Sequence, residues 1–165
     1  MVMNVDPSNH HTKIDNNALK SQQYILEGIS FSIVLSGTQT EGKYALIEAY
    51  FPPDSENEIP LHTHSIENLL IYVMNGTFSF NYGKEVKTGS TGMIFKIEKG
   101  IAHSYKKIGQ SNGRLLLIYI PAGFENFFRD LSNTQFENLR KFGEDDPIIV
   151  QLLEKNYGVR MLLDS

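Results

Sequence analysis

His62-Thr63-His64, with His103 well downstream, is the set of side chains in this sequence whose types and spacing best suit chemistry. On an extended strand the rings of residues two apart leave the same face, so His62 and His64 can share one ligand. Neutral imidazole is the commonest side-chain ligand for zinc, iron, copper and nickel. Three protein ligands with open positions is the pattern of a catalytic rather than a structural site. An ion held in that way acts as a Lewis acid on a bound anion or enolate. There are no cysteines, so thiolate ligands, disulfides and a cysteine nucleophile are excluded, and a metal must be held through nitrogen and oxygen.

The elements that position these rings must come from one domain, since 165 residues with 41% hydrophobic content suffice for a single sizeable core. The formal charge is −4, and Lys and Arg are scattered rather than massed, so no basic face is available to track nucleic acid. The stretch from Met1 to Asn17 lacks the basic and apolar regions of a secretion signal, and no apolar run reaches membrane-spanning length. A cytoplasmic protein with no membrane partner is expected.

Residues 1–23 are rich in Asn, Ser, Asp and His with little periodicity and read as a polar N-terminal arm. His10 and His11 belong to it and are expected to be solvated. From Tyr24 the pattern changes to short β-branched and aromatic runs: Ile29 to Leu35, Tyr44 to Phe51, Leu69 to Met74, Thr77 to Tyr82, Gly92 to Ile97, Ala102 to Ile108 and Arg114 to Ile120. Turn chemistry separates them at Ser36-Gly37, Glu41-Gly42, Asn75-Gly76, Tyr82-Gly83, Thr88-Gly89 and Asn112-Gly113. Regular short strands of this kind predict an all-β barrel or sandwich over residues 24–121.

After Pro121 the period moves toward 3.6. Phe124, Phe127, Phe128 and Leu131 are spaced as on one helix face, and Ile148, Ile149, Leu152 and Leu153 repeat the pattern after Asp146-Pro147. Residues 122–165 are therefore expected to be a C-terminal extension of two short helices packed on the barrel, with the phenylalanines as packing residues. One helix could cap the barrel mouth. The final stretch from Tyr157 to Leu163 could add a last edge strand.

With these motifs in view the sequence resembles the cupins, a superfamily of small double-stranded β-helix (jelly-roll) proteins. His62, His64 and Gly76 match the first cupin motif, the run from Ile71 to Phe80 is cupin-like, and Gly92, Gly100 and His103 match the second. The likeness runs from roughly Tyr24 through Tyr157 and is nearest to single-domain bacterial cupins related to quercetin 2,3-dioxygenase. Four positions depart: Glu56 stands for the leading Gly of the first motif, Leu69 for its metal-binding Glu, Glu98 for the Pro of the second motif and Lys107 for its Asn.

Three readings of the site follow. His62, His64 and His103 bind a divalent transition metal (Fe, Mn, Ni, Cu or Zn) as a three-histidine face; or Glu67 reaches the ion and restores a four-ligand set; or the histidines are remnants and the barrel binds small molecules without metal. By parity with His103, Ile101 and Tyr105 should point inward, Leu69, Ile71 and Val73 should supply apolar lining, and Tyr72 should face the other way. Tyr105 is the candidate catalytic side chain, because a phenol near a metal can hydrogen-bond a bound oxygen. The resemblance implies a dioxygenase-type oxidoreductase acting on a chelating hydroxyketone, flavonol-like or diketone substrate, the alternative being a non-catalytic binding module with a degenerate metal site. It also implies a homodimer, with the arm and an apolar edge strand from Ile29 to Leu35 as contributors.

Overall fold

The computed structural model describes residues 22–133 and 147–162, and within them the β-rich reading holds. Eleven strands and two helices follow in the order β1 (Gln22–Leu26), β2 (Ile29–Leu35), β3 (Ala45–Phe51), β4 (Glu58–His64), β5 (Asn68–Asn75), β6 (Thr77–Tyr82), β7 (Glu85–Ser90), β8 (Ile94–Ile97), β9 (His103–Ile108), β10 (Gly113–Ile120), α1 (Glu125–Asn133), α2 (Pro147–Tyr157) and β11 (Val159–Met161). All pairings are antiparallel. One sheet runs β1-β2-β3-β10-β5-β8 and the other β11-β4-β9-β6-β7, so chain neighbours are repeatedly parted between sheets, as a jelly roll requires.

Alternation along each strand builds the interior. On β3 the side chains of Ala45, Ile47, Ala49 and Phe51 are buried, on β5 those of Leu69, Ile71 and Val73, and on β10 those of Leu115, Leu117 and Tyr119. Register places these in rungs across the six-stranded sheet: Ala45, Tyr119, Leu69 and Ile97 form one, with the small Ala45 beside the large Tyr119. Tyr72, on the other face of β5, is exposed, as parity requires.

Three expectations change. The run from Ile29 to Leu35 is not an edge strand, because β1 pairs along it, beginning at Gln22 inside the segment read as an arm. Residues 1–21, with His10 and His11, lie outside the described residues. Thr88-Gly89 is not a turn: it sits within β7, where Gly89 is buried and a Cβ would stand 2.4 Å from the Phe95 ring and 2.8 Å from Phe80. The strand carries no apolar alternation, which hid it. β7 is instead an exposed, charged edge, a composition that discourages pairing with other chains.

The region after β10 closes one end of the barrel. Both oxygens of the buried Glu125 are used at the start of α1: Oε1 accepts the Gly37 N–H at 2.8 Å and Oε2 the Gly123 N–H at 2.7 Å, fastening the helix to the β2–β3 loop. Tyr157 OH donates to the Asp130 carboxylate and ties α2 to α1. β11 then pairs with β4, so the expected last strand lies against the strand that carries the histidines.

Candidate metal centre

His62 and His64 reach the interior together, but simple alternation does not put them there. Ile59 is also buried, at an odd spacing from His62. Ile59 opposes Tyr105 and His62 opposes His103, so three steps on β4 face two on β9, and the extra residue is a β-bulge. The bulge lies at Pro60-Leu61, and proline, which has no N–H to leave unpaired, suits it. Ile59 above the bulge and both histidines below it thus share the inner face.

Each ring is gripped at Nδ1. His62 Nδ1 lies 2.7 Å from the Pro60 carbonyl oxygen and His103 Nδ1 lies 2.9 Å from that of Ile101. A carbonyl can only accept, so Nδ1 carries the proton in both and the Nε2 lone pair is left free. His64 Nδ1 lies 3.2 Å from Glu67 Oε2, with both side chains only 2% exposed. The remaining nitrogens are the telling ones: His64 Nε2 and His103 Nε2 are buried with no hydrogen-bond partner. Buried polar atoms are rarely left so. Donor atoms of the three histidines lie within 4.8 Å of one another, so the cluster could hold a metal ion. The residues fit the group: three nitrogens converge, and their outward nitrogens hold the acceptors that normally orient metal-bound imidazoles.

Glu67 is not among the converging groups. β4 ends at His64 and β5 begins at Asn68, so Glu67 lies in the connection, and the turn brings its carboxylate back onto the outer nitrogen of His64. The four-ligand expectation gives way to an outer carboxylate acting through His64. Leu69 is 1% exposed in the core rung.

Electrostatics favour neutral imidazoles. Burial, then repulsion from His103 and His64, holds His62 well below its usual pKa, against the Pro60 carbonyl. His103 is lowered to about 4, by burial first, against the Ile101 carbonyl, with a further contribution from His64. The sign for stability follows. An unfolded histidine protonates near pH 6.5, whereas these stay neutral in the fold until lower pH, so the unfolded state binds more protons between those values. Their contribution is whole above about pH 6.5 and drains away toward pH 4. For His103 the loss is on the order of 3 kcal/mol. Urea midpoints of chelator-treated protein should fall over that window, and His103→Gln should flatten the fall; identical profiles for the two proteins would contradict the assignment.

Beside the cluster lies a cavity of about 30 Å³ whose polar lining is His62, Tyr105 and Tyr119. Tyr105 is inward as expected, and burial pushes its phenol pKa upward. Tyr119 was not singled out by the sequence. It comes from the opposite sheet, its ring centroid is 5.5 Å from that of His64, and its pKa is raised by burial, then by Tyr105 and Glu67. The signal available for it was the alternation Leu115, Leu117, Tyr119. Phe124 packs edge-on to His64 at 4.7 Å, and with Phe128, Leu153, Val159 and Met161 it walls the cavity from the C-terminal elements. The helix-cap expectation is met by both helices. Ile101, expected inward, is half-buried against the core and serves the site through its carbonyl.

Comparison with known proteins agrees with this architecture. Residues 50–119, from the end of β3 to the end of β10, match the family model described as a cupin domain. Among solved structures, KdgF from a Halomonas species superposes with a TM-score of 0.55 at 17% identity, over 63% of this chain and 91% of that one. A predicted oxalate decarboxylase from Thermotoga maritima gives 0.56 at 20% identity, over 62% and 94%. An RmlC-like cupin from Shewanella frigidimarina gives 0.54 at 18%, over 64% and 88%. At these identities the likeness is one of fold. No curated protein matches the sequence. The double-stranded β-helix, together with a matched segment that contains all three histidines, places this chain in the cupin superfamily.

Proposed function

We propose that this protein is a metal-dependent oxidoreductase of the dioxygenase type acting on a small chelating hydroxyketone or diketone. The observation that carries the reading is the buried convergence of three imidazoles whose outward nitrogens are all engaged and of which two inward nitrogens have no partner. His62, His64 and His103 would hold the ion, and a divalent transition metal there would supply Lewis acidity that stabilises a substrate enolate. The chain's own residues do the rest. Pro60, Ile101 and Glu67 fix the orientation of the three rings; Phe124 and the aromatic wall exclude water; Tyr105 and Tyr119 offer hydroxyl donors to a substrate oxygen. Neutral ligands leave a divalent charge uncompensated, which selects an anionic substrate. A cavity of about 30 Å³, against the roughly 300–1,000 Å³ of sites for larger organic ligands, favours few-carbon diketones and hydroxyketones over flavonol-like compounds.

The test is oxygen uptake by protein reconstituted separately with Fe, Mn, Ni, Cu and Zn and supplied with small β-diketones and α-hydroxyketones. Uptake that requires both metal and substrate is the expected result, and its absence with every metal removes the dioxygenase reading. Leu69, where the motif has a carboxylate, favours a second reading, a non-catalytic binding module. Thermal stabilisation by the same ketones that is unchanged by a chelator would support that module.

A further inference from the structure

Two hydroxyls in the cavity are used by nothing else in the fold. Tyr105 and Tyr119 are each 3% exposed, both line the cavity, and neither phenol has a hydrogen-bond partner among the described residues. Buried hydroxyls seldom go unpaired, because losing water without a replacement costs free energy. The two rings come from different sheets, Tyr105 from β9 beside His103 and Tyr119 from β10 across the barrel. Apart from His62, the rest of the lining is proline, phenylalanine and aliphatic side chains, which offer no competing acceptor in their side chains. The space is that of roughly two water-sized groups, which is also what the paired oxygens of one small anion need.

We propose that this cavity takes a small oxyanion, a carboxylate or enolate of a few non-hydrogen atoms, whose oxygens accept hydrogen bonds from Tyr105 and Tyr119 while its charge lies against the histidine cluster. The inference rests on the metal reading above and narrows its substrate class. Donors on one side and a cationic centre on the other complement an anion, and the walls from Phe124, Phe128 and Leu153 limit its length. The phenols therefore select for charge and size together. A neutral ketone of the same size satisfies the donors less well, because hydrogen bonds to charged acceptors are the stronger kind.

Isothermal titration of Co(II)-loaded protein with acetate, formate and phenylacetate tests this, with Co(II) uptake measured first. The wild type should bind formate and acetate and bind phenylacetate at least about tenfold more weakly, as expected for a cavity of this size. Tyr105→Phe and Tyr119→Phe should each weaken acetate binding by about tenfold, the effect of one hydrogen bond to a charged group, with Co(II) affinity and thermal midpoint retained. Unchanged acetate affinity in both variants, or phenylacetate binding as tightly as acetate, overturns the proposal. Co(II) uptake with no acetate binding overturns it alone, whereas failure to take up Co(II) removes the metal reading and this one with it.

Discussion

His103→Ala is expected to leave the protein unable to retain a metal, with elemental analysis falling from near one equivalent to near none, and His62→Ala should do the same. Each change deletes one of three converging nitrogens. Apparent binding energies of structural zinc sites imply on the order of 4 kcal/mol per ligand, about a thousandfold in affinity. A loss of metal alone would not separate a ligand from a packing residue, so the stability of the metal-free form matters more. His103 carries a buried nitrogen with no partner, which costs the fold when no ion is bound. His103→Leu replaces it with carbon of similar size. Metal-free His103→Leu should therefore be as stable as the metal-free wild type or more so, while being unable to gain stability from added metal. If it proves several kcal/mol less stable, the imidazole is packing that the fold depends on, and the case for a site built at a cost to stability fails.

That opposition between site and scaffold also decides what could be read from the residues. Period-two alternation with turn residues between the runs is a local signal, and it located β2, β6 and most of β3, β5, β9 and β10. β7 escaped because an exposed edge strand with Glu85 and Lys87 on it buries almost nothing and so needs no alternation. The histidine pair was legible as one face of a strand, but the bulge that lets Ile59 share that face is a property of pairing with β9 and has no local signature. Tyr119 and the cavity were hidden for the same reason. Tyr119 meets His64 only because two sheets close on each other, and the cavity's small volume is set by Phe124, Leu153 and Met161, far along the chain from the motif. Patterns fix which side of a strand a residue takes, whereas contacts across a barrel depend on topology.

Glu67 is the position where motif spacing and geometry part most clearly, and its replacement gives the other large effect. The motif's carboxylate falls at Leu69, which is buried in the core rung with Tyr119 and Ile97 and cannot ligate. Two residues earlier, outside the strand, Glu67 reaches the far nitrogen of His64 instead. The negative charge that the motif supplies as a ligand is here kept buried one residue out, where it orients the ring rather than touching the ion. Glu67→Ala should weaken metal binding by about 10–100-fold, the usual effect of removing an outer partner of a metal-bound histidine. It should also destabilise the metal-free fold by about 1–3 kcal/mol, since the His64 Nδ1–H is then buried without an acceptor. Glu67→Gln separates the two roles. Its amide oxygen can still accept from Nδ1–H, so orientation and most of the stability should return, while any part of the affinity that depends on charge should not. Metal titration of the three proteins against a competing chelator reads the difference. Equal affinity in all three would mean that Glu67 only fills space in the turn, and that His64 is held well enough by the Phe124 and Tyr119 rings that pack against it.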